Sequence, residues 1–282
     1  PKSPGNRLVH LDDPSPFYPH LNFPKLTTPQ WVGEEGVEAV VTLGIDDMRT
    51  VAKYEQFLRP ILERLKKIDG RAPVSIMTCR IAPNDRQVQR WLKEGVSIEV
   101  HTLTHPCPLL HKGNFEQAAN VVHGGVDLLN QIKGNTPVAY RMPCCDSMNS
   151  LSPRFFAEIF NKTSADGRFL KIDSSAFNIT TSKDKSLPRH WVLDKEGKER
   201  FGKYLEKMKS YVGTIEDYPY PYVINRLCWE FPCVVPSDWE AQNLIGNQKP
   251  QMLEDWKRAL DVTMRKQGVM NLVFHPHGWS SS

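Results

Sequence analysis

Residues 96–111 read VSIEVHTLTHPCPLLH, and the conformation of this stretch decides how the rest of the chain is understood. VSIEVH (96–101) is largely apolar and alternates in the manner of a strand with one buried face. His101 and His105 then stand four residues apart, the spacing a helix uses to aim two imidazoles at one ion. Pro106 and Pro108 disfavour a helix directly after them. The pair therefore falls on a strand end and its loop, and a tight loop can still bring both rings to one ion.

The neighbouring segments fit a strand in that place. VEAVVTLGID (37–46) is a short, β-branched apolar run, and residues 51–68 carry apolar side chains at helical spacing, with Pro60 expected to bend the helix. A second strand is expected over 72–79, and a helix over 84–95 with Asn84 as its N-cap and Gly95 as its stop. Beyond residue 101 come a helix over 115–134, weakened by Gly124 and Gly125, a strand over 137–143, a helix over 152–163 and a strand over 170–177. Residues 178–236 break the alternation and read as a long irregular, aromatic-rich insertion with one helix at 198–212. A helix over 252–268 and a strand over 269–275 resume it. Strand–helix alternation with short links predicts an α/β fold whose parallel strands curl toward a barrel. The proline-rich residues 1–36 read as an extended arm packed on a single domain spanning 37–282.

Ionisable residues gather at the expected strand ends. Asp46 and Asp47 close the first strand, His101 the third, Arg141 the fourth and His275 the last, while Asp173 lies in the fifth. Parallel α/β sheets build their sites at the carboxyl ends of the strands, so residues distant in sequence are expected to converge. Two histidines with one carboxylate from a neighbouring strand make a metal site with open positions. Composition is ordinary for a globular protein, with 40% hydrophobic and 24% charged residues. The net charge of +4 comes from scattered basic residues, which gives no nucleic-acid footprint. No apolar run is long enough to span a membrane.

These motifs resemble the NodB-like polysaccharide deacetylases of carbohydrate esterase family four. LGIDDMR (43–49) corresponds to that family's Thr-Phe-Asp-Asp-Gly motif, HTLTH (101–105) to its His-Ser/Thr-x-x-His motif, RMP (141–143) to Arg-x-Pro, and LVFHPHGW (272–279) to its late histidine strand. The resemblance implies a distorted, incomplete (β/α) barrel of about seven strands. It also implies that Asp47, His101 and His105 hold a divalent metal, usually zinc in that family. Asp46 would be the base that activates water on the metal, Arg141 would orient Asp46, and His275 would be the acid that protonates the leaving amine. Asp173 is the candidate for tuning His275. His277 competes for the acid role, and Cys144, His277 and Trp279 are candidates for contacting substrate. The glycine after the double aspartate is here Met48, the preceding Thr-Phe is Gly44-Ile45, and the residue after Pro143 is Cys144.

The implied activity is removal of N-acetyl, or O-acetyl, groups from a carbohydrate. A hydrolase of a non-sugar cyclic amide and a noncatalytic sugar-binding domain on the same fold are the alternatives. Cys107 or Cys144 as a thiolate ligand gives a rival His-His-Cys site. Cys228 and Cys233 flank WEFP and could close a small disulfide loop. Trp191, Tyr218, Tyr220, Tyr222 and Trp229 either offer flat faces to sugars or staple the long insertion. The chain begins Pro1-Lys2-Ser3 with no export signal, so either a segment was removed or this is part of a longer protein. Acetylated polymers favour an extracytoplasmic setting. The oligomeric state is not legible.

Overall fold

The structure is a computed structural model that describes residues 36–48, 50–145, 152–160, 170–206, 213–224, 228–243 and 249–276. Nearly all of the N-terminal arm, together with His277 and Trp279, lies outside them. Strand β1 (Val40–Met48) lies between β2 (Val74–Thr78) and β11 (Val269–Phe274) and runs parallel to both. Beyond β2 come β3 (Ser97–Val100), β4 (Ala139–Tyr140) and β5 (Ile172–Asp173), each parallel to the strand before it. Parallel neighbours need a crossover. Helices α1 (Val51–Asp69), α2 (Arg86–Glu94) and α3 (Phe115–Asn130) supply it between the first four strands. In chain order there follow the turns α4 (Pro153–Phe155) and α5 (Arg189–Val192), then α6 (Asp238–Asn243) and α7 (Lys249–Lys266).

The segment expected to be irregular adds strands. The run read as one strand over 170–177 divides into β5 and β6 (Phe177–Ile179), which stand on opposite flanks of the sheet. β7 (Thr214–Glu216), β8 (Tyr222–Ile224), β9 (Cys228–Glu230) and β10 (Cys233–Val234) follow. Among the described residues the sheet has 11 strands, ordered β7-β6-β10-β11-β1-β2-β3-β4-β5-β9-β8. Only β8 and β9 pair antiparallel, and the parallel sheet curls into an incomplete barrel. The count exceeds the expected seven because several added strands are two or three residues long.

Local chemistry explains the helix boundaries. α2 begins one residue later than expected: Asp85, not Asn84, is the N-cap, and its carboxylate accepts from the Gln87 N–H at 2.7 Å. Gly95, with φ of 101°, ends it in the left-handed conformation. Pro60 sits inside α1, which continues past it. The helix expected over 198–212 is not formed in its described part; Gly202–Tyr204 is a single 3-10 turn. Here tertiary pairing overrides propensity. Arg200 and Tyr204 both bond the fully buried Asp255 of α7, at 2.8 and 2.5 Å. The main core lies between the sheet and α1–α3, where Ile45, Leu58, Ile76, Trp91, Ile98 and Val122 are all fully buried.

Gly124 and Gly125 weaken α3, and the packing shows why glycine is there. The loop after β3 lies directly on this helix, with the Leu103 N–H donating to the Val121 carbonyl at 2.8 Å. A Cβ on Gly125 would stand 2.9 Å from the Thr102 carbonyl carbon, which is backbone and cannot swing away. A Cβ on Gly124 would meet the Leu103 Cδ2 at 3.0 Å, the end of a flexible side chain. Alanine gains ~1 kcal/mol of helix propensity over glycine, whereas overpacking costs about 1–3 kcal/mol. Gly125→Ala is therefore expected to lower the urea midpoint and Gly124→Ala to leave it unchanged or raise it. Identical midpoints for the two variants would contradict this packing.

Candidate active site

Successive residues of a regular strand point to opposite faces, so Asp46 and Asp47 should not share a site. A bulge resolves this. Ile45 pairs with Ile76 but Met48 pairs with Thr78, so β1 carries one residue more than β2 over this interval. Asp47 sits in the bulge with φ of 65°, and both carboxylates line one cleft. The left-handed conformation recurs at Thr102, His105, Cys144 and Cys145, at a cost on the order of 1–2 kcal/mol per residue. Such strain collects where side chains must be aimed.

The opening pair lies as expected: β3 ends at Val100, and both histidines are in the loop beyond. The Asp47 Oδ1 stands 2.7 Å from the His105 Nε2 and 3.4 Å from the His101 Nε2. One donor atom from each of the three residues falls within 4.8 Å of the others. Donors sharing an ion at bonds of about 2.0–2.2 Å stand roughly 3–3.5 Å apart, so the set fits one divalent cation. The His101 Nδ1–H donates to the Arg141 carbonyl at 2.7 Å, which fixes the tautomer with Nε2 as the ligating atom. Burial pushes the Asp47 carboxyl up, but the hydrogen bonds and charges of His101 and His105 outweigh it and hold it far below the usual range. Asp47 is thus an anionic donor.

Arg141 follows β4 and is buried beside Asp46. Its Nη1–H donates to the Asp46 Oδ1 at 2.6 Å. Burial opposes the guanidinium charge, but the carboxylate of Asp46 leads the contributions that raise its pKa further, so Arg141 stays charged. The Tyr54 hydroxyl donates to the Asp46 carbonyl, which secures the backbone of the same residue.

His275 follows β11 and is buried against Asp238, not Asp173. Asp238 takes two bonds: the His275 Nδ1–H at 2.8 Å and the His275 backbone N–H at 2.7 Å. Burial alone would lower the His275 pKa; the hydrogen bond and charge of Asp238 outweigh it and raise the pKa. Asp238 begins α6 in a capping box, in which the Ser237 Oγ accepts from the Trp239 N–H and the Glu240 carboxylate accepts from the Ser237 N–H. The sequence reading missed Asp238. Its signal was an Asp-Trp pair four residues past the apolar β10, a strand too short to be recognised. Asp173 is fully buried on β5, where its Oδ1 accepts from the Ser175 hydroxyl at 2.6 Å.

The cysteines pair differently from the sequence expectation. Cys228 and Cys233 are buried free thiols on separate, non-adjacent strands. Cys107 and Cys144 form a disulfide with Cα atoms 6.1 Å apart, so neither offers a thiolate to the histidines. The disulfide lines the cleft of about 290 Å³ that Asp46, Asp47, His101, His105 and His275 also line. Phe177, Val273 and Trp239 add apolar wall, and Trp239 is 39% exposed. Among the described residues the insertion aromatics do not reach this cleft. Tyr218 packs edge-on to Tyr220 at 5.0 Å, the Tyr220 hydroxyl bonds the Lys266 carbonyl, and Trp191 packs on Val192 and Val262. They staple the insertion.

Residues 33–152 match the polysaccharide deacetylase family model. A curated relative, the peptidoglycan-N-acetylmuramic acid deacetylase PdaC of Bacillus subtilis, is 29% identical over 106 residues, or 38% of this chain. The match spans 21% of that relative's length. Among solved structures, a presumed polysaccharide deacetylase of Mycobacterium smegmatis aligns with a TM-score of 0.51 at 16% identity, covering 88% of this chain and 80% of the other. Puue allantoinase aligns with a TM-score of 0.53 at 12% identity, covering 89% and 81%. These two likenesses concern the fold alone. Residues 33–152, which carry the double aspartate, both histidines and Arg141 to one rim of the sheet, are thus similar to the polysaccharide deacetylase family.

Proposed function

We propose that this protein is a metal-dependent hydrolase that removes N-acetyl groups from a polysaccharide. One observation carries the reading: a His-His-Asp donor set, an arginine-held carboxylate and an aspartate-backed histidine line a single cleft. The family match and the named activity of the Bacillus relative support a carbohydrate substrate. Asp47, His101 and His105 hold the cation, and two imidazoles with one carboxylate suit zinc. When bound, the cation supplies a Lewis acid that acidifies water and draws charge from the scissile carbonyl.

The chain's own residues do the rest. Asp46, fixed by Arg141, takes the proton of the attacking water. A backbone N–H near Cys144 is the proposed donor for the oxyanion, and it is not that of Cys145, which the Met142 carbonyl engages at 2.9 Å. His275, oriented by Asp238, gives its proton to the nitrogen as the C–N bond breaks, releasing acetate and a free amine. An amine leaves poorly until protonated, whereas an alcohol needs less help. A buried, charge-supported acid therefore favours N-acetyl over O-acetyl groups. The apolar wall of the Cys107–Cys144 disulfide, Phe177 and Val273 suits the acetyl methyl, and the exposed face of Trp239 suits a sugar ring.

Elemental analysis of the purified protein should find about one zinc per chain in wild type and in Asp46→Asn, and a large loss in His101→Ala, His105→Ala and Asp47→Ala. Retention of zinc by all three ligand variants would refute the assignment. Acetate release from acetylated chitooligosaccharides and peptidoglycan fragments, with a cyclic amide assayed alongside, should fall by at least ~100-fold in Asp46→Asn. Product from the cyclic amide alone would transfer the protein to the other C–N chemistry.

The acid role carries a pH signature. Because Asp238 raises the His275 pKa from its ordinary 6.5, the proton is retained to higher pH. Asp238→Asn removes the counter-charge, so the basic limb of the kcat/KM profile should move to lower pH. A basic limb that does not move would remove His275 from the acid role.

A further inference from the structure

Arg141 buries five N–H donors, and Asp46 accepts from one of them. The others converge on Ser174, the residue after β5. The Arg141 Nε–H donates to the Ser174 carbonyl at 2.9 Å and the Nη2–H to the Ser174 hydroxyl at 2.8 Å. One residue thus takes two arms of the fork, from main chain and side chain together.

Ser174 is itself held from several sides. Its N–H donates to the Tyr140 carbonyl at 3.0 Å, on the strand that leads into Arg141. The Asn271 amide donates to the Ser174 Oγ at 2.8 Å and to the Phe231 carbonyl at 2.7 Å, while its own oxygen accepts from the Thr42 hydroxyl at 2.9 Å. Next along, the Ser175 hydroxyl donates to Asp173 and accepts from the Met142 N–H at 2.9 Å. The Glu230 Oε1 accepts the N–H groups of Ser175 and Ala176, each at 3.1 Å. Burial, then the charge of Asp173 and a hydrogen bond with it, hold the Glu230 carboxyl well above its ordinary range. Glu230 thus braces the turn through the backbone N–H groups of Ser175 and Ala176 and lies against Asp173. Asp173, the sequence candidate for tuning His275, braces this turn instead.

We propose that Ser174 is a positioning residue for the deacetylation: its carbonyl and hydroxyl fix the tilt of the Arg141 guanidinium and through it the Asp46 carboxylate, on a turn braced by the Asp173–Glu230 pair. This rests on the reading of Asp46 as the base. A serine that merely fills the core would be indifferent to whether residue 141 can use its hydroxyl.

The test is a double-substitution cycle on the full chain, reading kcat, KM and zinc content with acetylated chitooligosaccharide. Losing one hydrogen bond to a charged group predicts about a tenfold fall in kcat for Ser174→Ala, with KM and zinc content within about twofold. In an Arg141→Lys background the compact ammonium cannot use the same fork, so Ser174→Ala should then change kcat by less than about twofold. Glu230→Gln, whose amide oxygen can still accept the Ser175 and Ala176 N–H groups, should stay near wild type, and Glu230→Leu should fall with Ser174→Ala. Wild-type kcat in Ser174→Ala, or the same tenfold loss in both backgrounds, would overturn the proposal. Asp46→Asn separates the two readings. If it is inactive while Ser174→Ala is fully active, only the positioning role fails. If it retains full activity, or the wild type is inactive, the base assignment fails and the positioning role with it.

Discussion

The guanidinium of Arg141 carries a positive charge where water does not reach. Burying such a group costs several kcal/mol unless it is paired and its N–H donors are met. The rim of the sheet meets that demand. Asp46 supplies the counter-charge, and Ser174 takes two further bonds. The planar group also needs room. A Cβ on Gly44 would stand 2.7 Å from both terminal nitrogens of Arg141, so the guanidinium lies across bare backbone. The related family carries threonine in the Thr-Phe-Asp-Asp-Gly motif where this chain has Gly44. Here the departure has a physical reason, and the ion pair that would follow from the family motif is retained.

Parallel pairing places the remaining groups. β1, β3, β4, β5, β10 and β11 run the same way, so Asp46, Asp47, His101, Arg141, Ser174, Asp238 and His275 all emerge at or just beyond one edge. Convergence still demands local distortion. The bulge at Asp47 and the left-handed residues at Thr102, His105, Cys144 and Cys145 are each unfavourable alone. The loop after β3 keeps its shape because α3 yields two glycines to it, and the loop after β4 is joined to it by the Cys107–Cys144 disulfide. Helix propensity is given up where a ligand-bearing loop has to lie close.

Legibility in the sequence followed element length. The alternation from β1 to α3 is plain because each element is long enough to show its period, and the histidines, Asp46, Asp47 and Arg141 could be placed from it. β5 to β10 are two or three residues each, too short for any periodicity, so their segment reads as irregular and Asp238 had no strand to be assigned to. The helix expected at 198–212 fails because Arg200 and Tyr204 answer to Asp255, a partner more than fifty residues away that no local pattern reveals. Cysteine pairing is hidden for a similar reason. The Cys228 and Cys233 spacing looked favourable, but each lies on a different strand and the real pair joins two separate loops.

Base and acid in the proposed chemistry are supported by opposite partners. Asp46 has the cation of Arg141 beside it; His275 has the anion of Asp238 beside it. Hydrolysis requires one group ready to accept a proton and another ready to give one at the same pH. Burial alone would push the His275 imidazole toward its unprotonated form. An unprotonated imidazole would have no proton to give to the leaving nitrogen. The hydrogen bond and charge of Asp238 outweigh burial and favour the protonated form, which is the form an acid needs. The two pairs arise from different strands, β1 with β4 and β10 with β11, yet the charge of Asp46 also acts on His275. Arg141 beside Asp46 and Asp238 beside His275 thus set a fixed opposite charge against each proton-transfer group of one cleft.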